Sequence, residues 1–98
     1  EKLFGNNTIE KILFEILVNE STYASKLAKV FGSNVYGIQK GLMRLEQGGI
    51  IISQKVGKTV LYSFNPRYPF LKELKEFLLR AYQSLPDQMK REYYELIE

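Results

Sequence analysis

Ninety-eight residues, 45% hydrophobic and 26% charged, describe one ordinary globular domain with enough apolar mass for a single core. With no Cys and no His, the sequence excludes disulfides, thiolate nucleophiles, Cys- or His-based metal sites and every Ser-His or Cys-His catalytic pair. The net charge of +3 is uneven: residues 1–31 are balanced, residues 69–98 carry −1, and residues 32–68 carry +4, with Lys40, Arg44, Lys55, Lys58 and Arg67 opposed by Glu46 alone. A local basic surface suits a polyanion, because displaced counterions drive binding to phosphate. No apolar run approaches the ~20 residues that cross a bilayer, and no signal-peptide pattern opens the chain. A soluble, cytoplasmic protein is expected, with no membrane, metal or cofactor. The chain opens at Glu1 rather than Met, as a fragment of something longer would.

Asn7 with Glu10 three residues on has the pattern of a capping box. Behind it Ile9, Ile12, Leu13, Ile16 and Leu17 recur at helical spacing, and Phe14 and Val18 widen the stripe; helix 1 is predicted over roughly 8–19. Thr22-Tyr23 is a short strand candidate. Ala24, Leu27, Ala28 and Phe31 give the apolar face of a second helix over 24–31, with Gly32 as its left-handed stop. Ser33 and Asn34 are good N-cap residues, and Val35, Ile38, Leu42 and Leu45 mark the inner face of a third helix over 35–47, closed by Gly48-Gly49. Two helices about three residues apart around a Gly form a helix-turn-helix signal.

The period then changes. Ile50, Ile51, Ile52 and Val56 precede Gly57-Lys58, and Thr59, Val60, Leu61, Tyr62 and Phe64 follow, which predicts a hairpin over 50–64 with a type II′ turn at Gly57. Asn65-Pro66 and Pro69 end the second strand. Phe70, Leu74, Phe77, Leu78, Ala81 and Leu85 define helix 4 over 70–84, broadened by Leu71, Leu79 and Tyr82. Pro86 suits the first turn of a fifth helix over 86–97, whose inward positions would be Met89, Tyr93, Leu96 and Ile97. The expected class is mainly α with a small β-hairpin wing. Residues 1–66 form the core of the domain and 67–98 its C-terminal helices.

The stretch KLAKVFGSNVYGIQKGLMRLEQGGIIISQKVGKTVLYSFNP resembles the winged helix-turn-helix of ArsR-like transcriptional regulators. Leu27-Ala28, Gly32, Ile38, Leu42, Leu45-Glu46, Gly49-Ile50 and Tyr62 carry the resemblance, which covers about 26–66. The tail NPRYPFLKELKEFLLRAY is similar to one subgroup in which the wing runs through Asn-Pro into a long helix. Two features depart from the pattern. Ser33 stands where an apolar residue usually follows the Gly of the turn, and the Cys and His ligands of metal-sensing members are absent.

The resemblance implies that helix 3 enters the DNA major groove, bases being read from the side opposite its core stripe. That side offers Tyr36, Gln39, Lys40, Met43 and Arg44. Gln39 suits adenine, and Lys40 or Arg44 a guanine or a phosphate. Ser33 and Asn34, at a helix N-terminus, suit a phosphate, although Asn34 has a second role as a cap. Lys55 and Lys58, near the hairpin tip, would reach a neighbouring groove, or else serve only to keep an exposed edge soluble. Gly37 and Gly41 lower helix propensity and share one side of helix 3; either the helix approaches DNA or helix 2 closely there, or they pack for steric reasons alone.

The broad apolar surfaces of helices 1 and 4 exceed what a three-helix core needs, and such surfaces usually find a partner. They predict a homodimer, with Ile12, Phe14, Leu71, Leu78 and Tyr82 at the interface, unless helix 5 folds back over the same faces. No Gly-rich phosphate loop appears, because Gly48-Gly49 ends a helix rather than opening one, and no carboxylate pair forms a catalytic pattern. The expected function is a transcriptional regulator, a repressor by occupancy, that binds palindromic double-stranded DNA. The alternative is a winged-helix module that recognises protein.

Overall fold

A computed structural model describes residues 7–96. The element order is α1 (Asn7–Asn19), α2 (Ala24–Phe31), α3 (Val35–Gln47), β1 (Ile51–Val56), β2 (Thr59–Phe64), α4 (Leu71–Gln83) and α5 (Asp87–Met89), the last continued by a π-helical turn (Lys90–Tyr94). Asn7, the first described residue, is already helical, so it lies within α1 rather than capping it from outside.

α1 is the axis of the core. Ile12, Leu13, Phe14 and Ile16 are buried on it, among Leu27 and Ala28 of α2, Ile38, Leu42 and Leu45 of α3, Ile51 of β1, and Leu78 and Tyr82 of α4. Their removal from water supplies the main driving force for the fold. α3 can lie close to α1 because residue 41 is glycine. A Cβ there would stand 2.9 Å from Ile12 Cδ1 and 3.1 Å from Thr8 Cγ2.

α2 ends at Gly32, whose φ of 61° is left-handed, and the Ser33 amide donates to the Ala28 carbonyl at 2.9 Å. The turn is therefore closed by backbone hydrogen bonding, with half-buried Ser33 in it. Asn34 caps α3, its Oδ1 accepting from the Tyr36 amide at 2.7 Å.

β1 and β2 pair antiparallel, Ile51 opposite Phe64 and Val56 opposite Thr59. Gly57 has φ 63°, and Lys58 has no positive φ, as the II′ turn requires. Only Ile51 of β1 is buried, so the hairpin projects from the body. Its foot is held by Asn65, whose Nδ2 donates to the Gly49 carbonyl at 2.9 Å and whose amide donates to that of Ile50 at 2.9 Å. Thr22 adds a single bridge beside Tyr62, with hydrogen bonds of 3.0 and 2.8 Å.

The C-terminal segment departs from the sequence expectation. Instead of one α-helix over 86–97, a single α turn widens into a π turn, closed by the Glu95 amide on the Lys90 carbonyl at 2.8 Å. Widening lets two consecutive aromatics face inward. Tyr93 stacks on Phe31 with ring centroids 5.2 Å apart, and buried Tyr94 meets Phe14 at 5.7 Å and Tyr82 at 5.7 Å. The Tyr82 hydroxyl donates to Glu95. Met89 and Leu96, expected inside, are exposed, while Ile97 lies outside the described residues.

That packing corrects the predicted dimer surface. Ile12, Phe14, Leu78 and Tyr82 lie in the chain's own core, Phe14 and Tyr82 against Tyr94 of the folded-back C-terminal turn, and Leu71 is half-buried. Phe70 and Phe77, expected on the inner face of helix 4, are exposed, as is Leu79.

One buried carboxylate belongs to the same junction. Glu15 is fully buried; its Oε1 accepts from Asn19 Nδ2 at 2.8 Å and stands 3.9 Å from Lys26 Nζ, while Oε2 has no hydrogen-bond partner. Asn19 Nδ2 also reaches the Tyr94 carbonyl at 3.1 Å. Desolvation pushes the Glu15 pKa up to about 7, against the opposing pull of Lys26 and Asn19.

Candidate nucleic-acid interface

α3 separates its residues by face. Ile38, Gly41, Leu42 and Leu45 are buried, whereas Tyr36, Gln39, Lys40, Met43 and Arg44 are exposed, Tyr36 by 68% and Met43 by 51%. The five outward residues expected from the period of the helix therefore share one face. Val35, expected inside, is 43% exposed because it occupies the first helical position, where the turn from α2 gives no cover. The Lys40 ammonium lies over the Tyr36 ring, 5.5 Å from its centroid.

Two grooves flank this face. On the wing side, a groove of about 300 Å3 is lined by Val35 and Gln39 of α3, Lys58, Thr59, Val60 and Tyr62 of the hairpin, and Tyr23, Ala24 and Ser25 at the start of α2. Gln39 and Lys58, nineteen positions apart in sequence, thus border one space. Burial, with the Glu46 carboxylate nearby, pushes the Tyr62 pKa up, so its hydroxyl stays a neutral hydrogen-bond donor. On the other side, a groove of about 310 Å3 is lined by Thr8 of α1 and by Gly37, Lys40, Gly41 and Arg44 of α3.

Not every expected residue joins these surfaces. Lys55 is exposed on β1 opposite Val60, set back from the turn. Ser33 is half-buried and its hydroxyl turns to the Phe31 carbonyl at 3.5 Å, while the Asn34 side chain is engaged as a cap. Sequence reasoning missed Thr8, Tyr23, Ser25 and Thr59. Ser25 at the start of a helix was a readable sign; nothing in the sequence placed Thr8 beside α3.

The two glycines part company here. Gly41 is needed for the approach of α1. Gly37, in the first turn of α3, is exposed and has no positive φ, and among the described residues a Cβ built on it would meet nothing within 4 Å. Among the described residues no group of His, Cys, Asp and Glu is placed to hold a metal ion, and no helix is long and apolar enough to cross a membrane.

Helix, left-handed turn, helix and a projecting two-stranded hairpin make this a winged helix-turn-helix domain. No protein-family model matches the chain. An uncharacterized HTH-type transcriptional regulator of Methanocaldococcus jannaschii is similar to it, 32% identical over 63 residues; these are 64% of this chain and span 16% of that relative's length. Among solved structures, reduced HlyU from Vibrio cholerae is similar with a TM-score of 0.65 at 22% identity, over 80% of this chain and 79% of that one. The homodimeric winged helix-turn-helix DNA-binding domain of a possible ArsR-family transcriptional regulator from Mycobacterium bovis gives 0.62 at 18% identity, over 84% and 74%. The adhesin competence repressor of Streptococcus pyogenes gives 0.61 at 13% identity, over 92% and 69%. At these identities the structural likeness establishes the fold.

Proposed function

We propose that this domain binds double-stranded DNA as part of a transcriptional regulator, with α3 in the major groove and the hairpin against the flanking backbone. The observation that carries the reading is the exposed face of α3, where Tyr36, Gln39, Lys40, Met43 and Arg44 stand together and Gln39 shares a groove with Lys58 of the wing. Gln39 reads base edges, Lys40 and Arg44 take a guanine or a phosphate, and Tyr36 and Met43 supply apolar contact to thymine methyls. Lys58, with Lys55 behind it, adds phosphate contacts that carry no sequence information. The HTH-type regulator similar to this chain and the DNA-binding domain named among its structural neighbours agree with this reading.

The active unit in this reading is a homodimer, as the Mycobacterium bovis domain is. Its contact uses the apolar side chains left exposed on α4, Phe77 and Leu79, together with Phe70, rather than those buried in the core. A two-fold pair presents two copies of α3 to half-sites about one DNA turn, ~34 Å, apart and so favours a palindrome. Light scattering tests the assembly: a particle of 11.4 kDa, the mass of one chain, rules it out.

Fluorescence anisotropy against duplex DNA over a range of salt tests the binding. Lys58→Ala is expected to weaken all sequences alike and to flatten the salt slope by about one unit. Gln39→Ala is expected to relax preference at one base pair, at about 1–3 kcal/mol. Binding by both variants equal to the parent's removes this assignment of faces, and a parent that ignores duplex DNA favours a protein-recognition module.

A further inference from the structure

The wing-side groove accounts for one flank of α3; of the α1-side groove, the reading above uses only Lys40 and Arg44 at its rim. Lys40 and Arg44 rim it, and among the described residues neither forms a salt bridge to a carboxylate. Its floor is Gly37 and Gly41. Packing on α1 explains Gly41, but nothing among the described residues requires Gly37 to lack a side chain. An α-helix with its side chains is ~10–12 Å across and the major groove ~12 Å wide, so a seated helix has a phosphate strand on each side. Contact with the second strand is closest where the helix carries no side chain.

We propose that the groove between α1 and α3 takes the sugar–phosphate backbone of the second DNA strand, Lys40 and Arg44 meeting its phosphates and Gly37 letting a deoxyribose–phosphate unit reach van der Waals contact with α3. The inference rests on the DNA-binding reading. It extends the footprint to Thr8 in the first turn of α1, and it makes Gly37 a residue kept for its partner rather than for its own fold.

The test follows binding of the intact chain to a mixed-sequence duplex of ~20 base pairs at roughly 50 mM salt by anisotropy, with melting temperatures measured alongside. Gly37→Ala has room in the free protein and favours the helix, so its melting temperature is expected to equal or exceed the parent's. Its duplex affinity should fall about fivefold, and that of Gly37→Leu about tenfold or more. Lys58→Ala, on the opposite groove, reports the underlying reading independently. If it loses affinity while both Gly37 variants bind as the parent does, the second-strand contact is wrong and DNA binding stands. If the parent binds no duplex, both are wrong. Should Gly37→Leu fail to fold, Gly37→Ala alone decides.

Discussion

α1 and α3 are both thirteen-residue helices, and they are used in opposite ways. α1 is enclosed by α3, α4 and the C-terminal turn, with five consecutive residues, Ile12 to Ile16, buried, Glu15 among them. α3 buries one stripe and leaves the other side in water. A helix whose apolar residues spread over most of its circumference belongs at the centre of its own core, whereas a helix with one apolar stripe has a side to offer elsewhere. The breadth of the α1 stripe points inward, to a chain that closes on itself.

Truncation should expose that contrast most strongly. Ile12→Ala is expected to destabilise the domain by about 2–5 kcal/mol in urea unfolding, since Ile12 is fully buried and its neighbours are fixed. Met43→Ala, on the open side of α3, should change stability by no more than about 0.5 kcal/mol. Equal losses at the two sites would erase the distinction between the helices.

Glu15 sharpens the account of α1 as an enclosed element. Its folded carboxyl keeps a proton up to about pH 7, whereas the unfolded chain releases it near 4.5. Between those values the unfolded state binds fewer protons, so stability is fully present below 4.5, falls as pH rises towards 7, and then levels off. The fall is expected to be on the order of 3 kcal/mol, from the size of the shift. In Glu15→Gln this loss should vanish; a parent whose stability rises over the same interval would contradict the burial of this group. Lys26 of α2 faces this carboxyl, as do the hydroxyls of Tyr82 and Tyr94, which burial pushes up and so keeps neutral over the interval.

Where the two helices touch, the expected effect is smaller. Gly41→Ala puts a methyl 2.9 Å from Ile12 Cδ1 and should cost about 1–3 kcal/mol, as overpacking does, despite alanine's better helix propensity. A stabilised Gly41→Ala variant would mean that the α1–α3 contact is looser than drawn.

Periodicity carried most of the architecture into view. The ranges of α2 and α3 match those read from spacing, and α1, α4 and the hairpin agree within a residue or so, because each is bounded by local chemistry: Gly32, Asn34, Gly57, Pro66. What spacing cannot convey is the identity of the covering partner. Phe14 and Tyr82 are wide-stripe residues whether their cover is a second chain or residues 93 and 94 of the same one, and the choice depends on a π turn that no 3.6-residue repeat announces. For the same reason the exposed residues of α3 were readable one by one, while the grooves that join Gln39 to Lys58 and Thr8 to Arg44 arise only once α3 is set against other elements.

The rung between Thr22 and Tyr62 has a mechanical corollary. Besides the foot held by Asn65 and buried Ile51, an anchor partway along β2, on the segment leading into α2, makes hairpin and α2 tilt together. Any force on the Lys58 tip is thereby transmitted through the linker to the start of α2, while the Ser53 hydroxyl of β1, donating to the Glu46 carboxylate of α3 at 2.7 Å, ties the wing to α3 itself.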